Sequence, residues 1–535
     1  MSVPEDKSEA AAQGMLVAWL AARAPDRPTL YTAYGDRTYG ELNANINRLV
    51  RALRAGGLRS GDSVALMCTN RPEFLEVLYA TQRCGLRLTP INWHLTGDEA
   101  GYIVENCEAR AFIAAAELGD RAIEAGAGRT TGMVGGLLKL AVGGELPGFA
   151  SYADMIAEYD GADIEDPTLG SQMLYTSGTT GRPKGVNRAG APSSLAGVNF
   201  WRYSEDFPHG EDVHLCTGPL YHAAPLAFSV AAPMLYGVPI VIMDQWDPIE
   251  TLRLIDQHRI THTHMVPTMF HRMLALPEDV RAKYDVSSLG VVIHGAAPCP
   301  VTVKQRLIEW LGPIVVEYYA ATEGLGTLVD SATWLSYPGT VGRPMVSGLV
   351  KVADDHGNEV PSGEIGLVWL RAVAKFEYHR DTKKTAESFR GEYFTLGDMG
   401  YMNEEGYLFL TDRTANLIIS GGVNIYPAEV DAVLLQHPAV ADVATIGVPN
   451  EEWGEEVKAV VQLVEGVAAT EVLASELINF TRTRLAHFKC PRTVDFMDRL
   501  PREDTGKIFK RKLRELYRVA AASNHSQTNH SQTNL

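Results

Sequence analysis

Short apolar runs alternate with helical stretches through the first two thirds of this 535-residue chain, and that alternation restricts the fold more than any other feature. Residues 64–68 read as a strand, 72–84 as an amphipathic helix and 86–91 as a strand again. Apolar runs recur at 238–243, 263–266, 291–294 and 314–317, with helical segments between them. Strands joined through helices are expected to lie parallel, because the crossover returns the chain to the same end of the sheet. The expectation is an α/β fold whose large N-terminal domain holds parallel sheets covered by helices.

From about residue 340 the pattern changes. Alternating segments at 349–353, 365–370 and 407–410, set off by Gly-rich turns, predict a small β-rich subdomain. A compact α+β unit follows, with strands at 417–420, 440–448, 456–464 and 493–496 and helices at 427–437 and 469–485. Residues 1–412 are expected to form the large domain, 413–520 a small C-terminal domain, and 521–535 a disordered tail in which HSQTN occurs twice. A chain this long exceeds what one core supports.

Composition narrows the partners. A net charge of −17 argues against a nucleic acid or an anionic membrane as the main partner, while leaving room for a local basic pocket for phosphates. The six cysteines are scattered, with no CxxC pair and no Cys/His cluster at zinc spacing, so buried reduced thiols are expected. The acidic start MSVPEDKSEA does not read as a signal peptide. Residues 225–243 carry no charge, but Pro225, Pro233, Gly237 and Pro239 interrupt them, so a buried helix and strand fit better than a membrane span. A cytoplasmic enzyme is expected, with peripheral membrane contact and a homodimer both compatible with the sequence.

The densest chemistry lies between Tyr175 and Gly185, in the run YTSGTTGRPKG. Gly178, Gly181 and Gly185 allow a tight turn and close backbone approach. Thr176, Ser177, Thr179 and Thr180 offer hydroxyls beside the backbone amides, and Lys184 adds a point charge for phosphate oxygens. It is not a Walker A loop, because GxxxxGK[ST] does not fit. Composition alone would allow a plain surface loop.

This run closely resembles the phosphate-binding signature of the adenylate-forming superfamily, which includes acyl-CoA synthetases (fatty-acid–CoA ligases among them), peptide-synthetase adenylation domains and luciferases. Further matches follow in the family's order. His222, in Pro219–His222, resembles the histidine between the acyl site and the phosphates. Gly295, Ala296 and Ala297 resemble the small-residue turn beside the adenine and the acyl pocket. In EYYAATEG, residues 317–324, the resemblance places Tyr318 and Tyr319 at the nucleotide, with Tyr319 stacking on adenine and Thr322 bonding the α-phosphate. Glu323 would hold Mg²⁺, with Thr176 as the other metal candidate. Ala320 replaces the usual Gly. Asp398, after Leu396 in place of the usual Thr, would accept the ribose hydroxyls, and Arg413 would also reach ribose. Gly421 and Gly422 resemble the loop that approaches the reaction centre when CoA is used. Lys507 resembles the adenylation lysine, although it stands in a basic cluster with Lys510, Arg511, Lys512 and Arg514 that could be a solvated helix face.

The resemblance implies ATP-dependent activation of a carboxylic acid as its acyl-adenylate, then transfer to coenzyme A, with ATP, Mg²⁺ and CoA as cofactor and co-substrates. It further implies a small domain that rotates about a hinge after Asp412–Arg413, exchanging Lys507 for the Gly421–Gly422 loop. Ala415, two residues after the hinge Arg, departs from the Asp or Lys of many relatives. The segments expected to line the acyl site, 221–228, 268–270, 293–297 and 324–327, are apolar, which predicts an apolar acid. A medium- or long-chain fatty acid comes first, and an aryl or steroid (bile-acid) side-chain acid second. A fatty acyl–AMP ligase loading a carrier protein and a luciferase-like oxygenase are the other readings. The first would carry an insertion that is not evident between about 330 and 412, and the second shares every motif.

Overall fold

The computed structural model of the protein describes residues 3–127, 136–176, 183–188, 202–204, 207–354, 356–372, 376–413, 416–420, 423–450, 453–502 and 508–518. Among them the apolar runs form two large, mainly parallel sheets. In the eight-stranded sheet Ser63–Met67 lies between Arg87–Pro90 and Ala109–Ala115, parallel to both. All five residues of Ser63–Met67 are buried, as expected for a strand covered on both faces. The helix Tyr39–Ala55 starts at a capping box in which the Glu41 amide donates to the Thr38 hydroxyl and the Thr38 amide to the Glu41 carboxylate. It buries Leu42, Ile46, Leu49, Val50 and Leu53 on one stripe, each worth about 1.5–3 kcal/mol of apolar burial. Its neighbour Pro72–Arg83 begins at a proline, where a missing amide costs nothing.

In the nine-stranded sheet His214–Cys216, His262–Met265, Val291–His294 and Val315–Ala321 run parallel in that spatial order, so their C-terminal ends open on one side. Ligands of open α/β sheets bind beyond such ends. The stretch 225–243 splits into a π-helical segment Pro225–Ala231, a helix Ala232–Tyr236 and a strand Ile240–Ile242. Gly237 ends that helix at φ 70°, where a Cβ would stand 2.2 Å from the Phe207 ring. No helix among the described residues is long and apolar enough to cross a membrane.

The β-rich subdomain is an antiparallel sheet of Val350–Ala353, Gly366–Arg371, Tyr393–Met402, Phe389–Arg390 and Leu408–Arg413. One short strand within this part of the sequence does not join it. Phe376–Tyr378 instead pairs antiparallel with Lys184–Arg188, at the edge of the eight-stranded sheet. Three residues are too few to show a period, so no strand was expected there. The smaller C-terminal domain carries its own sheet of Val423–Ile425, Ile418–Ser420, Gly454–Leu463, Val440–Asn450 and Thr493–Phe496, flanked by the helices Pro427–Leu434 and Glu471–Arg482. The large domain with parallel sheets and the small α+β domain are the architecture that the alternation predicts.

Candidate active site

The strand Val315–Ala321 turns directly into Gly324–Asp330, with Ala321 opposite Gly324, so Thr322 and Glu323 form the tip of a two-residue hairpin. That tip enters a cavity of about 2640 Å³ bordered also by Tyr319, Asp398, His222 and Ala296. Strand alternation separates the two tyrosines. The Tyr319 hydroxyl donates to Asp398 Oδ2 at 2.7 Å, joining the hairpin to the antiparallel subdomain. Tyr318 points the other way, its ring 4.5 Å from that of Phe228 and its hydroxyl 3.0 Å from His264 Nε2. Burial lowers the pKa of His264 to about 3, which keeps the ring neutral, and raises that of the Tyr318 phenol. The structure thus places Tyr319 beside the ribose candidate Asp398, and Tyr318 in the apolar wall.

The turn after Val291–His294 fits that wall closely. A Cβ on Gly295 would lie 2.6 Å from the Tyr318 ring, and Ala296 takes a left-handed φ of 66°. Beneath it the buried Lys304 ammonium meets Glu317 at 2.6 Å, with His294 Nε2 3.7 Å from the same carboxylate oxygen. Burial raises the Glu317 carboxyl and lowers the Lys304 ammonium, and their contact opposes both shifts. Ala297 follows in the same turn and borders the cavity.

Two contacts at the phosphate end were not foreseen. Tyr378 donates its hydroxyl to Glu323 Oε1 at 2.9 Å. Lys184 donates to Asp381 Oδ2 at 2.7 Å, and that hydrogen bond is the main cause holding the Asp381 carboxyl below its usual range. Asp381 is also the N-cap of the helix Thr382–Ser388, accepting from the Lys384 amide. Its pairing with a lysine 197 residues away has no local signal in the sequence.

The remaining candidates distribute as follows. Thr176 ends the strand Ser171–Thr176, its Cα opposite that of Lys184. Arg413 ends Leu408–Arg413, its Cα opposite that of Asp398. His222 borders the cavity just before the helix that begins near Ala223. Ser177, Gly178, Thr179, Thr180, Gly181, Ala415, Gly421, Gly422, Lys507 and the tail 521–535 lie outside the described residues. The basic cluster resolves in part: Lys510 pairs with Asp431 at 2.7 Å, and Arg514 donates to Asn416.

The acyl-side expectation needs correction. Among the described side chains of that run, Gly324, Gly326 and Thr327 do not border the cavity. A Cβ on Gly326 would meet the Tyr319 carbonyl at 2.5 Å, and the buried Thr327 hydroxyl donates to the Val341 carbonyl, because this strand packs inward against its antiparallel neighbours. Phe270 and Ile293 are likewise fully buried in core clusters. Most of the expected stretch 221–228, with Thr268 and the turn at Ala296 and Ala297, does border the cavity, and the wall extends beyond them to Ala231, Leu235, Tyr236 and Tyr318.

A buried carboxylate at a hairpin tip suits a hard cation, and Mg²⁺ is commonly held by one or two carboxylates plus substrate phosphates. Glu323 fits that role with Oε1 fixed by Tyr378. An aromatic ring hydrogen-bonded to a carboxylate suits an adenosine, and the apolar wall beyond suits an acyl group.

The comparisons agree with this chemistry. A family model described as AMP-binding enzyme matches residues 17–376, and one described as AMP-binding enzyme C-terminal domain matches 429–507. A feruloyl-CoA synthase from Amycolatopsis sp is 34% identical over 90% of this chain and 94% of its own length. A long-chain-fatty-acid–CoA ligase from Mycobacterium tuberculosis is 33% identical over 90% and 93%. The crystal structure of an anthranilate CoA ligase with anthranoyl-AMP superposes with a TM-score of 0.85 at 27% identity, over 96% of this chain and 98% of that one. The chain therefore belongs to the AMP-binding enzyme family, as an AMP-forming acid–thiol ligase that uses ATP, Mg²⁺ and coenzyme A and proceeds through an acyl-adenylate.

Proposed function

We propose that the acid is apolar, with a medium- or long-chain fatty acid favoured. The observation that carries this reading is the apolar share of the cavity lining. Besides Tyr319 and Asp398 it takes in Ala227, Phe228, Ala231, Leu235, Leu16, Leu78 and Tyr79. A long apolar chain gains contact against such a lining roughly in proportion to the area it buries. An aryl acid is the second reading, because the Phe228, Tyr318 and His264 rings cluster with centroids 4.5–5.8 Å apart, tilted against one another by 26–53°.

In the first half-reaction a carboxylate oxygen of the acid attacks the α-phosphorus of ATP. The bond to the bridging oxygen breaks and pyrophosphate leaves. Bound Mg²⁺ would supply charge neutralisation at the phosphates, held by Glu323 with Thr176 as its second candidate ligand. Asp398 and Tyr319 orient the nucleoside, with Arg413 and the turn 295–297 beside it. Thr322 and Lys184 bind phosphate oxygens, together with the 176–181 loop. Lys507 stabilises the charge that develops as pyrophosphate departs. His222 stands at the junction of the acyl and phosphate sites. In the second half-reaction the CoA thiol attacks the acyl carbon, the thiol proton is lost to solvent and AMP leaves. For this step we propose that the small domain, 413–520, turns about Asp412–Arg413 and brings Gly421–Gly422 to the site.

A pyrophosphate-release screen over fatty, aryl and steroidal acids, with and without CoA, tests the assignment. The expected result is CoA-dependent turnover, with kcat/KM rising along a series of fatty acids of increasing length. A preference of about tenfold or more for a cinnamic or benzoic acid over every fatty acid would install the aryl reading. Turnover that requires a carrier protein, or consumes O₂, would replace CoA ligation itself.

A further inference from the structure

The strand Phe376–Tyr378 and the turn after it touch both charged groups at the phosphate end. The His379 amide donates to the Gly185 carbonyl at 2.8 Å, next to Lys184, while Tyr378 lies opposite Val186 in the strand register. Tyr378 then reaches Glu323, and Asp381 reaches Lys184. The turn is cross-tied from within: the Tyr378 amide donates to the Thr385 hydroxyl, which donates to the Asp381 carbonyl. It is also anchored outward, by His379 Nε2 at 2.9 Å from the Asn106 carbonyl and by Arg380 on Glu108. Arg380 holds a left-handed φ of 57°, a conformation that a side chain of this size adopts only when its surroundings fix it.

We propose that this segment is a brace that sets the phosphate-binding ammonium and the metal-binding carboxylate relative to each other, with Tyr378 the positioning residue for Glu323 and Asp381 the positioning residue for Lys184. The inference rests on the roles proposed above for Lys184 and Glu323. A lysine ammonium held by Asp381 meets phosphate oxygens with its side chain's rotamer freedom already restricted. A carboxylate with one oxygen held by a phenol is fixed in its orientation. Neither Tyr378 nor Asp381 has to touch the nucleotide for this to work.

Calorimetric titration of the full-length protein with an ATP analogue carrying a methylene between the α- and β-phosphates, with and without Mg²⁺, tests the brace apart from turnover. Tyr378→Phe should shrink the affinity gain from Mg²⁺ by about fivefold and leave binding without Mg²⁺ unchanged. Asp381→Asn keeps a capping side chain but loses the charge, and should weaken Mg²⁺-analogue binding by about tenfold. In a Lys184→Ala background the same Asp381→Asn change should have no further effect. Binding curves within twofold of the parent for both single variants would overturn the brace, as would an undiminished effect of Asp381→Asn without the lysine. If Lys184→Ala and Glu323→Gln themselves leave both titrations unchanged, the underlying site assignment fails, and the brace with it.

Discussion

The two domains hold their charged groups in different ways. On the nucleotide face of the large domain, polar contacts join separate bodies: Tyr319 to Asp398 links one parallel sheet to the antiparallel subdomain, and Glu323 to Tyr378 links it to the edge of the other sheet, where Lys184 meets Asp381. The small domain is cross-tied to itself. Asp431 pairs with Lys510, Glu429 with Lys489, Lys458 with Asp495 and Asp442 with Arg502. Where the domains approach, the groups are less complementary. Arg502 is lowered to about 10 by burial and by Arg272 of the large domain, and His271, which meets the Ala441 backbone, is lowered by burial with Arg306, Arg502 and Arg272 contributing. A cross-linked nucleotide face beside a self-tied small domain is the division that the proposed turning of the small domain between two steps would need.

The sharpest way to break this comparison is to remove the group that the small domain is proposed to lend. Lys507→Ala should depress adenylate formation on the order of 10²–10³-fold, while thioester formation from supplied acyl-AMP changes by less than about threefold. Equal losses in both steps would mean that the small domain contributes no step-specific charge.

The next effect tests whether the small domain behaves as one body. Lys510→Met strands the Asp431 carboxylate, whose Oδ1 also accepts from the Thr445 amide. Fully buried pairs cost about 3–5 kcal/mol when one partner is lost. Here the side chains keep 14% and 16% of their exposure, so about 2 kcal/mol is expected. Hydrogen exchange should show lost protection across Val440–Asn450 and Gly454–Leu463 together. Loss confined to residues 510–518 would show that the helix merely rests on the sheet.

Much of this contrast was legible in the sequence. Strands 291–294 and 493–496 fall where their periodicity predicts, because runs such as VVIH are apolar, β-branched and bounded by turn residues. The motif residues of the large domain could be quoted in order because each belongs to a short run of unusual composition. What stayed hidden depends on contacts between distant segments. Nothing local in FEYHRD says that Tyr378 will meet Glu323, 55 residues earlier, since a three-residue strand has no period and a phenol is as common in a core as at a site. Gly326 and Thr327 were misplaced for the converse reason: a run of small and apolar residues reads alike whether it lines a cavity or packs against Tyr319 and Val341.

A smaller effect probes the apolar side of the large domain. His264 is neutral in the fold at about 3, against an ordinary value of 6.5. The unfolded chain therefore binds a proton that the folded one refuses, so this contribution to stability is complete above pH 6.5 and is lost as the pH falls from there toward 3. Replacing His264 with Gln should flatten the acid limb of the large domain's stability by about 1.4 kcal/mol per pH unit, whatever it does to the midpoint at neutral pH. An unchanged slope from denaturant melts would show that other buried histidines, such as His214 and His294, carry the acid sensitivity.

The finest test separates the two tyrosines that alternation divides. Tyr319→Phe keeps the ring and removes only the hydroxyl that donates to Asp398. A hydrogen bond to a charged group contributes about 1.5–3 kcal/mol when its partner is left unsatisfied, but Asp398 gains access to water and ribose once the phenol is gone, so about 1 kcal/mol is expected. That corresponds to roughly a fivefold higher KM for ATP with kcat and the KM for the acid little changed. Tyr318→Phe removes the hydroxyl that meets His264 and should do the reverse, altering preference among acids and leaving ATP saturation alone. If both variants moved the same parameter, the strand would not divide nucleotide from acyl group, and the wall assigned to Phe228 and Tyr318 would have to be redrawn.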